Sequence, residues 1–303
     1  MTKSMVTGLP MHGGTPHRAA LIPALEYESG PWDRFARVSR SDPAVSNQLA
    51  MNKVFRRVAL LGIASVISGV LVGGVLGRIV MRISALAAGP EMVGRLTENG
   101  NRIGEFTIGG TLALIIFVGV FSGVAGSVAV VGSDPWLRWL GPVQGLGFGV
   151  VVLAVTADQG PFTSVDFLIL DPPALNVAMF VGLHLAFGLA VSGVYWLANR
   201  RLPPAQDHEQ VGYLVVASLG TIALLLVIAL FTVPSFSGSE TDFGFLAIIL
   251  VMVTSTGIRQ ATSFIEATPN WLSRTATIAG YGSLTLLVVI GLSRQIAQIQ
   301  TIL

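Results

Sequence analysis

The chain contains no cysteine and few charged residues. Of its 303 residues, 11% are charged and 52% are hydrophobic, and the mean hydropathy is +0.73. The missing cysteine excludes disulfides, thiolate metal sites, haem attachment through CxxCH and cysteine nucleophiles. A soluble domain carries roughly 25% charged residues, so this composition predicts an integral membrane protein.

Several signatures of catalysis and ligand binding are also missing. The sequence has no HExxH, no GxxxxGK[ST] and no GxSxG with a partner histidine, so the zincin, ATP-binding and hydrolytic arrangements have no support. The predicted spans hold no lysine for a retinal Schiff base and no central carboxylate for a proton relay. The formal net charge of +2 is too small to indicate a nucleic-acid partner.

Seven apolar runs are long enough to cross a membrane, which takes about 20 helical residues for a core of about 30 Å. They lie near residues 58–83, 109–131, 139–157, 175–198, 211–233, 243–258 and 275–293. Residues 1–56 form a polar, basic N-terminal tail that we expect to be cytoplasmic and partly disordered. Residues 57–303 form the polytopic domain. The run MNKVFRRVALLG makes Met51 an alternative native start.

The basic residues predict the orientation. With the N-terminus in the cytoplasm, thirteen of the 18 Lys and Arg residues fall on cytoplasmic segments, as the positive-inside rule requires. Seven spans then place the C-terminus outside. The predicted fold class is an all-α transmembrane bundle of about seven helices.

A β-hairpin is predicted in the first external loop, LTENGNRIGEFTIGGT. Asn99-Gly100 favours a type I′ turn, in which both central residues need positive φ. This turn folds Leu96 back against Ile103. Because two strands alone are marginally stable in water, we expect the hairpin to pack on the bundle as part of an outer cap.

Small residues recur at four-residue spacing on the first three predicted helices. Residues four apart share one helix face, and small side chains let helix backbones approach closely in a membrane. We expect these three helices to form a tight sub-bundle, with a pore lining or helix bending as the alternative. The packing residues are Ser65, Gly69, Gly73, Gly77, Gly119, Gly123, Gly141, Gly145 and Gly149.

Two sites are candidates for a ligand. Arg78 and Arg82 share a face at the outer end of the first helix. Interfacial ion pairing with a carboxylate of an outer loop is their favoured role, and binding of an anionic headgroup or phosphate is the lesser one. His184 is the one histidine inside a predicted span. A helix-to-helix hydrogen bond is its favoured role, and ligation of a haem or chlorin is the lesser one. No metal ion and no other cofactor are predicted.

The run GRIVMRISALAAGPEMVGRLTENGNRIGEFTIGGTLAL, residues 77–114, resembles the start of a group of bacterial multi-pass membrane proteins of unassigned activity. That group carries a first helix with an MR-type end, a short hairpin and a GGTL-like second helix. The resemblance implies a bacterial cytoplasmic (inner) membrane. It implies no reaction.

Three function classes follow. The leading hypothesis is a non-catalytic subunit or scaffold of a larger inner-membrane assembly, with the lipid bilayer, other membrane subunits or further copies of the chain as partners. A small-solute channel or transporter is the second. A lipid-modifying enzyme is the third, and it would use Arg78, Arg82 and external carboxylates such as Asp158, Asp166 or Asp171.

Overall fold

The computed structural model describes residues 43–96, 102–103, 107–159, 171–202, 210–232, 243–263, 265 and 268–303. The chain divides into two compact units, residues 1–42 and 43–303, and all described residues belong to the second. About 91% of them are helical, and none of them lies in a β-strand. The predicted all-helical class is therefore confirmed for this part of the chain.

The helices begin where the sequence supplies suitable residues. Thr107 accepts a hydrogen bond from Gly110 N at 3.1 Å and caps the helix that follows it. Pro173 opens another helix, at a position where no N–H is needed. The α-helices are α1 (Pro43–Ser68), α2 (Gly77–Ala87), α3 (Ile108–Ala113), α4 (Phe121–Leu137), α5 (Gln144–Val155), α6 (Pro173–Arg201), α7 (Gln210–Thr232), α8 (Phe243–Ala261) and α9 (Asn270–Ile302).

Two π-helical segments extend these helices into longer rods. Gly69–Leu76 joins α1 to α2, and Leu114–Val120 joins α3 to α4. Among the described residues, five helices are long and apolar enough to cross a membrane, so the chain is a multi-pass membrane protein. They are Asn47–Ala87, Ile108–Val155, Pro173–Arg201, Phe243–Ala261 and Asn270–Ile302.

The helix Ile108–Val155 is interrupted at Gly141. That residue has φ 55° and ψ −121°, a conformation that is accessible to glycine and strained for residues with a Cβ. Pro142 follows and lacks an N–H for helical hydrogen bonding. At 1.5 Å per residue an unbroken rod of this length would measure roughly 72 Å, more than twice a bilayer core of about 30 Å. Instead, α5 turns back and packs against α4.

The core lies between α4 and its neighbours. The largest side chains with almost no exposure include Trp136 on α4, Phe148 on α5 and Phe245 on α8. At one end of the bundle, Arg57 of α1 contacts the end of α4 and the last turns of α6. We call this end the Asp134 end. Elsewhere, the end of α5 contacts the later part of α9.

The predicted hairpin falls partly outside the described residues. Leu96 and Arg102 form an isolated antiparallel bridge, and Ile103 N donates to Arg95 O at 2.8 Å. Asn99 and Gly100 lie outside the described part of the chain. Ile103 is buried against Ala85 and Met92, so this loop packs on the end of α2. The full hairpin stays a prediction.

Candidate functional site

Asp134, in the last turn of α4, is the one charged side chain that is buried among the described residues. Its side chain is 1% exposed. Arg57 of α1 donates Nε–H to Oδ2 at 2.8 Å and Nη2–H to Oδ1 at 2.7 Å. Arg138 Nη2 donates to Oδ2 at 2.8 Å, and Gln144 Nε2 donates to Oδ1 at 3.0 Å. A carboxylate can accept about four hydrogen bonds. The bonds from these three side chains therefore occupy its acceptor positions.

The electrostatics of this cluster favour a permanent contact. Two guanidinium groups face one carboxylate, and the Arg57 pair is bidentate, which combines strength with fixed geometry. Taking a carboxylate out of water costs several kcal/mol unless its partners stay in place. The cluster therefore ties α1 to the end of α4 and to the start of α5.

The two arginines of α1 also hold α6. Arg57 Nη1 donates to Tyr195 Oη at 3.3 Å, and its guanidinium carbon is 5.3 Å from the centre of the tyrosine ring. Arg56 donates to the side chain of Asn199 and, through Nη2, to Leu202 O at 3.1 Å. Carbonyls at a helix C-terminus lack intrahelical partners and carry partial negative charge. Arginine is therefore well suited to this end of α6.

The local sequence GSDPWLRWLGPVQG explains how the cluster forms. Asp134 and Arg138 are four residues apart, so they share one face of the helix. Pro135 lacks an N–H, and the helix tightens to a 3₁₀ turn at Arg138. The reversal at Gly141 then brings Gln144 back to the carboxylate.

A second polar contact ties the same turn of α4 to α8 and α9. Trp136 is fully buried, and its Nε1 donates to Thr256 Oγ1 at 2.8 Å. The Thr256 hydroxyl in turn donates to Gly132 O. Tyr281 packs edge-on at 5.2 Å between ring centres, and the Arg259 guanidinium lies 4.9 Å from the indole. The end of α4 is thus fixed on several sides.

Sequence reasoning missed both Asp134 and Trp136. The second predicted span ends at residue 131, whereas α4 continues to Leu137, so hydropathy alone leaves both residues beyond the span. One signal could have found part of the cluster. An acid four residues before an arginine at the end of a helix predicts an ion pair, here Asp134 with Arg138.

Both ring nitrogens of His184 face oxygen atoms. Nδ1 is 2.9 Å from Phe180 O, and Nε2 is 3.3 Å from Thr156 Oγ1. A carbonyl only accepts, so Nδ1 carries a hydrogen. Thr156 follows α5 directly, and the contact therefore joins α5 to α6. A metal ion at Nε2 would have to displace Thr156, and a haem or chlorin at His184 stays the lesser hypothesis.

Arg78 and Arg82, the candidates for an anionic ligand, lie one turn apart on α2. Arg78 and Arg82 are both half-buried, and both take part in interactions within the structure. Of the carboxylates that were predicted to be external, Asp171 is exposed beside the start of α6. The side chains of Asp158 and Asp166 lie outside the described residues. An anionic ligand at Arg78 and Arg82 stays a prediction.

The structure brings the first two sets of small residues together. A Cβ added to Gly69 would lie 2.6 Å from Gly123 Cα and would also meet Gly119 O. A Cβ added to Gly123 would lie 2.8 Å from Val66 Cα and 2.9 Å from Ser65 O. Real Cβ atoms do not approach backbone this closely. The rod that contains α1 therefore packs against the rod that contains α4 through glycines of both rods.

The glycines of the third predicted helix meet a different partner from the expected one. A Cβ on Gly145 would lie 3.0 Å from Gly188 O, and one on Gly149 would lie 2.7 Å from Leu185 Cα. Both partners belong to α6. The glycines of α5 therefore face α6, while α5 also packs against α4. The sub-bundle of the first three helices stays a prediction.

Three further small residues divide between packing and bending. A Cβ on Gly73 would lie 3.2 Å from Val118 O, so this residue continues the contact between the first two rods. A Cβ added to Gly77 would lie 3.6 Å from Val72 O of the same helix and within 4 Å of no other helix. Gly141, with no atom within 4 Å of an added Cβ, occupies the reversal after α4. Its predicted place in a packing face is wrong, and its positive φ explains the glycine.

Two glutamines join α9 to the end of α5. Gln295 Nε2 donates to Leu153 O and Gln298 Nε2 donates to Ala157 O, each at 3.0 Å. Gln295 is 3% exposed. The Oε1 atoms of both glutamines are buried without a hydrogen-bond partner in the structure. Buried acceptors of this kind are usually satisfied by water or a ligand.

The polar contacts of the described residues thus include one group around Asp134, one at the junction of α5, α6 and α9, and the contact of Trp136 with Thr256. Both groups connect helices of this chain through hydrogen bonds at ordinary distances. A scan against protein-family models, a search of curated proteins and a search of solved structures each gave no match.

Proposed function

We propose that the protein is a non-catalytic subunit or scaffold of a larger membrane assembly. The observation that supports this most is the saturation of Asp134. Its two oxygens accept hydrogen bonds from Arg57, Arg138 and Gln144. A carboxylate that acts as an acid or base catalyst must reach the proton that it transfers. A carboxylate that binds an ion needs a lone pair that no other group occupies. A carboxylate that is fully used between helices instead stabilises one rigid arrangement, which suits a scaffold.

We also propose seven spans, with the N-terminus in the cytoplasm and the C-terminus outside. Two observations support the count. The helix Ile108–Val155 reverses at Gly141, which supports counting it as two passes. In addition, α7 has 23 residues, which is enough to cross a membrane core. The proposed membrane is the bacterial inner membrane, and the hairpin at Asn99-Gly100 belongs to the external cap.

The proposed partners are other membrane subunits or further copies of the chain. The close glycine contacts join helices within this chain, as in a glycine zipper. The outer surface of the bundle is therefore available for lipid or other subunits. That surface is strongly apolar, with large side chains such as Phe117 and Ile278 more than two-thirds exposed. Lipid and neighbouring subunits both suit such a surface.

The test is the native mass of the protein. It should be extracted at its natural expression level in a mild detergent and separated without denaturation. The proposal expects a particle heavier than the 31.8 kDa chain plus detergent, with other polypeptides or further copies in fixed ratio. A matched sample of Asp134→Asn checks specificity, because a loosened bundle should lose those partners while other membrane complexes keep theirs.

A particle containing a single copy of this chain, at natural abundance and with native lipid retained, would contradict the subunit proposal. Extraction in two detergents of different chain length guards against loss of a partner. If both give the single chain, the second candidate takes over.

A small-solute channel or transporter is the second candidate, and Gln295 is the observation that favours it. Its buried Oε1 lies inside the bundle with no partner in the structure, and an acceptor there suits water or a hydrogen-bond donor on a solute. Transport predicts solute flux into vesicles that contain the purified protein. Gln295→Leu should reduce that flux, and the exposed Gln300→Leu should not.

A further inference from the structure

Basic side chains dominate the Asp134 end of the bundle. They lie on α1, on the turn after α4 and on the last turn of α6. Within the described part of the chain, Asp134 is the one carboxylate that pairs with them, so positive charge exceeds negative charge among the described residues of this end. We call this group the Arg200 patch, and its members are Lys53, Arg56, Arg57, Arg138, Arg200 and Arg201.

Hydrogen bonds of Arg56, Arg57 and Arg138 bring the elements of the patch together. Arg57 and Arg138 share the carboxylate of Asp134, which brings α1 next to the turn after α4. Arg56 donates to Asn199 and to Leu202 O. These two residues immediately flank Arg200 and Arg201 in the chain, so the patch lies on three neighbouring elements.

The outer members of the patch remain accessible. Arg138 uses Nε and Nη2 on Asp134, yet its side chain is 49% exposed. Lys53, Arg200 and Arg201 are exposed. A guanidinium has five N–H donors in a planar fork that matches phosphate oxygens. The patch therefore presents donors outward as well as toward the carboxylate.

Two exposed tryptophans border this patch, a pattern that is typical of the level of lipid headgroups. Trp139 is 73% exposed beside Arg138, and Trp196 is 54% exposed beneath Arg200, whose guanidinium lies 4.0 Å from the indole. Exposed tryptophan is enriched where the hydrocarbon core meets the headgroups. Leu197 on the same turn of α6 is also exposed, so the charged groups border an apolar surface.

We propose that the Arg200 patch binds the phosphate of an anionic phospholipid. Arg138, Arg200 and Arg201 bind the headgroup oxygens, and Trp139 and Trp196 pack against the glycerol and the first acyl carbons. The apolar border distinguishes this occupant from a free phosphate ion, which would gain nothing from it. The site is separate from Arg78 and Arg82 on α2.

The test is lipid retention by the full-length protein in mixed phosphatidylcholine and phosphatidylglycerol nanodiscs. Native mass spectrometry after gentle release counts the lipids that stay bound. The wild-type protein should retain phosphatidylglycerol in preference to phosphatidylcholine. The variant Arg200→Gln plus Arg201→Gln should weaken that preference by roughly fivefold for each arginine removed. Neither residue contributes to the Asp134 cluster, so we expect the fold to be kept.

A control removes one positive charge elsewhere and is compared with the single variant Arg200→Gln. Arg274 is exposed near the start of α9, and Arg274→Gln should leave the preference unchanged. An equal loss in Arg274→Gln would overturn the proposal, since it would mean a general charge effect. Equal retention of both lipids by the wild-type protein would overturn it as well. So would complete displacement of phosphatidylglycerol by inorganic phosphate, because the patch would then be a site for free anions.

Discussion

Asp134 and Trp136 are two residues apart in the last turn of α4, and each fixes that turn to different helices. Asp134 accepts hydrogen bonds from Arg57 of α1 and Gln144 of α5. Trp136 donates to Thr256 of α8 and packs against Tyr281 of α9. One helical turn therefore joins elements from the first to the last part of the described chain. The stability of the bundle should depend on it strongly.

Replacing Asp134 with Asn should lower the free energy of unfolding by about 3–5 kcal/mol, because it leaves two guanidinium groups facing each other without an anion. Titration with a denaturing detergent, followed by tryptophan fluorescence, measures this change. Asp171→Asn is the control, since Asp171 is exposed and its replacement should alter stability by less than about 0.5 kcal/mol. Equal effects of the two variants would contradict a central role for Asp134.

The two arginines that bind Asp134 should not contribute equally. Arg57 is bidentate and its side chain is 29% exposed, whereas Arg138 is 49% exposed. Exposed pairs contribute about 1 kcal/mol or less, so Arg57→Gln should destabilise the protein by several times more than Arg138→Gln. A double-mutant cycle with Asp134→Asn isolates each coupling energy. A larger coupling for Arg138 would contradict the geometry.

These contacts also show what the sequence could reveal. Hydropathy predicted the helical membrane fold, because runs of about 20 apolar residues have few other uses. It did not reveal Asp134, since a span is recognised by its apolar centre and this carboxylate lies beyond Val131 at the end of the run. Arg57 is 77 residues away from it in sequence, and no local pattern predicts a pairing at that distance.

The glycines divide in the same way. Four-residue spacing predicted which faces would be small, and Gly69, Gly119 and Gly123 do lie at one backbone contact. The same spacing could not predict that Gly145 would face α6 rather than α1 or α4. That choice depends on the reversal at Gly141, where a positive φ changes the direction of the chain.

Trp136→Phe should lower the free energy of unfolding by about 1 kcal/mol in addition to the effect of the smaller ring. The reason is that it removes the buried hydrogen bond from the indole N–H to Thr256. Trp139→Phe is the matched control. Its ring is 73% exposed, so the same substitution should leave the unfolding transition unchanged. Thermal unfolding of both variants by circular dichroism makes the comparison. A shift of similar size in the two would show that the hydrogen bond is unimportant.

Gly188→Ala should destabilise the protein by about 1–3 kcal/mol. A methyl group there would meet Gly145 O and Gly149 N and would force α5 and α6 apart. Gly182→Ala, on the same helix with nothing within 4 Å of the added methyl, should keep or slightly raise stability, since alanine favours helix. Detergent-induced unfolding distinguishes the two. Tolerance of alanine at position 188 would mean that these helices are less closely packed.

The last prediction concerns His184, whose two nitrogens face Phe180 O and Thr156 Oγ1. Because both positions have partners from the protein, we expect the natively extracted protein to show no visible absorption band that depends on this residue. His184→Phe removes both contacts and should lower the free energy of unfolding by about 1 kcal/mol, and Thr156→Val should account for part of that loss. A visible band present in the wild-type protein and absent from His184→Phe would instead make His184 a cofactor ligand, with Thr156 displaced when the cofactor binds.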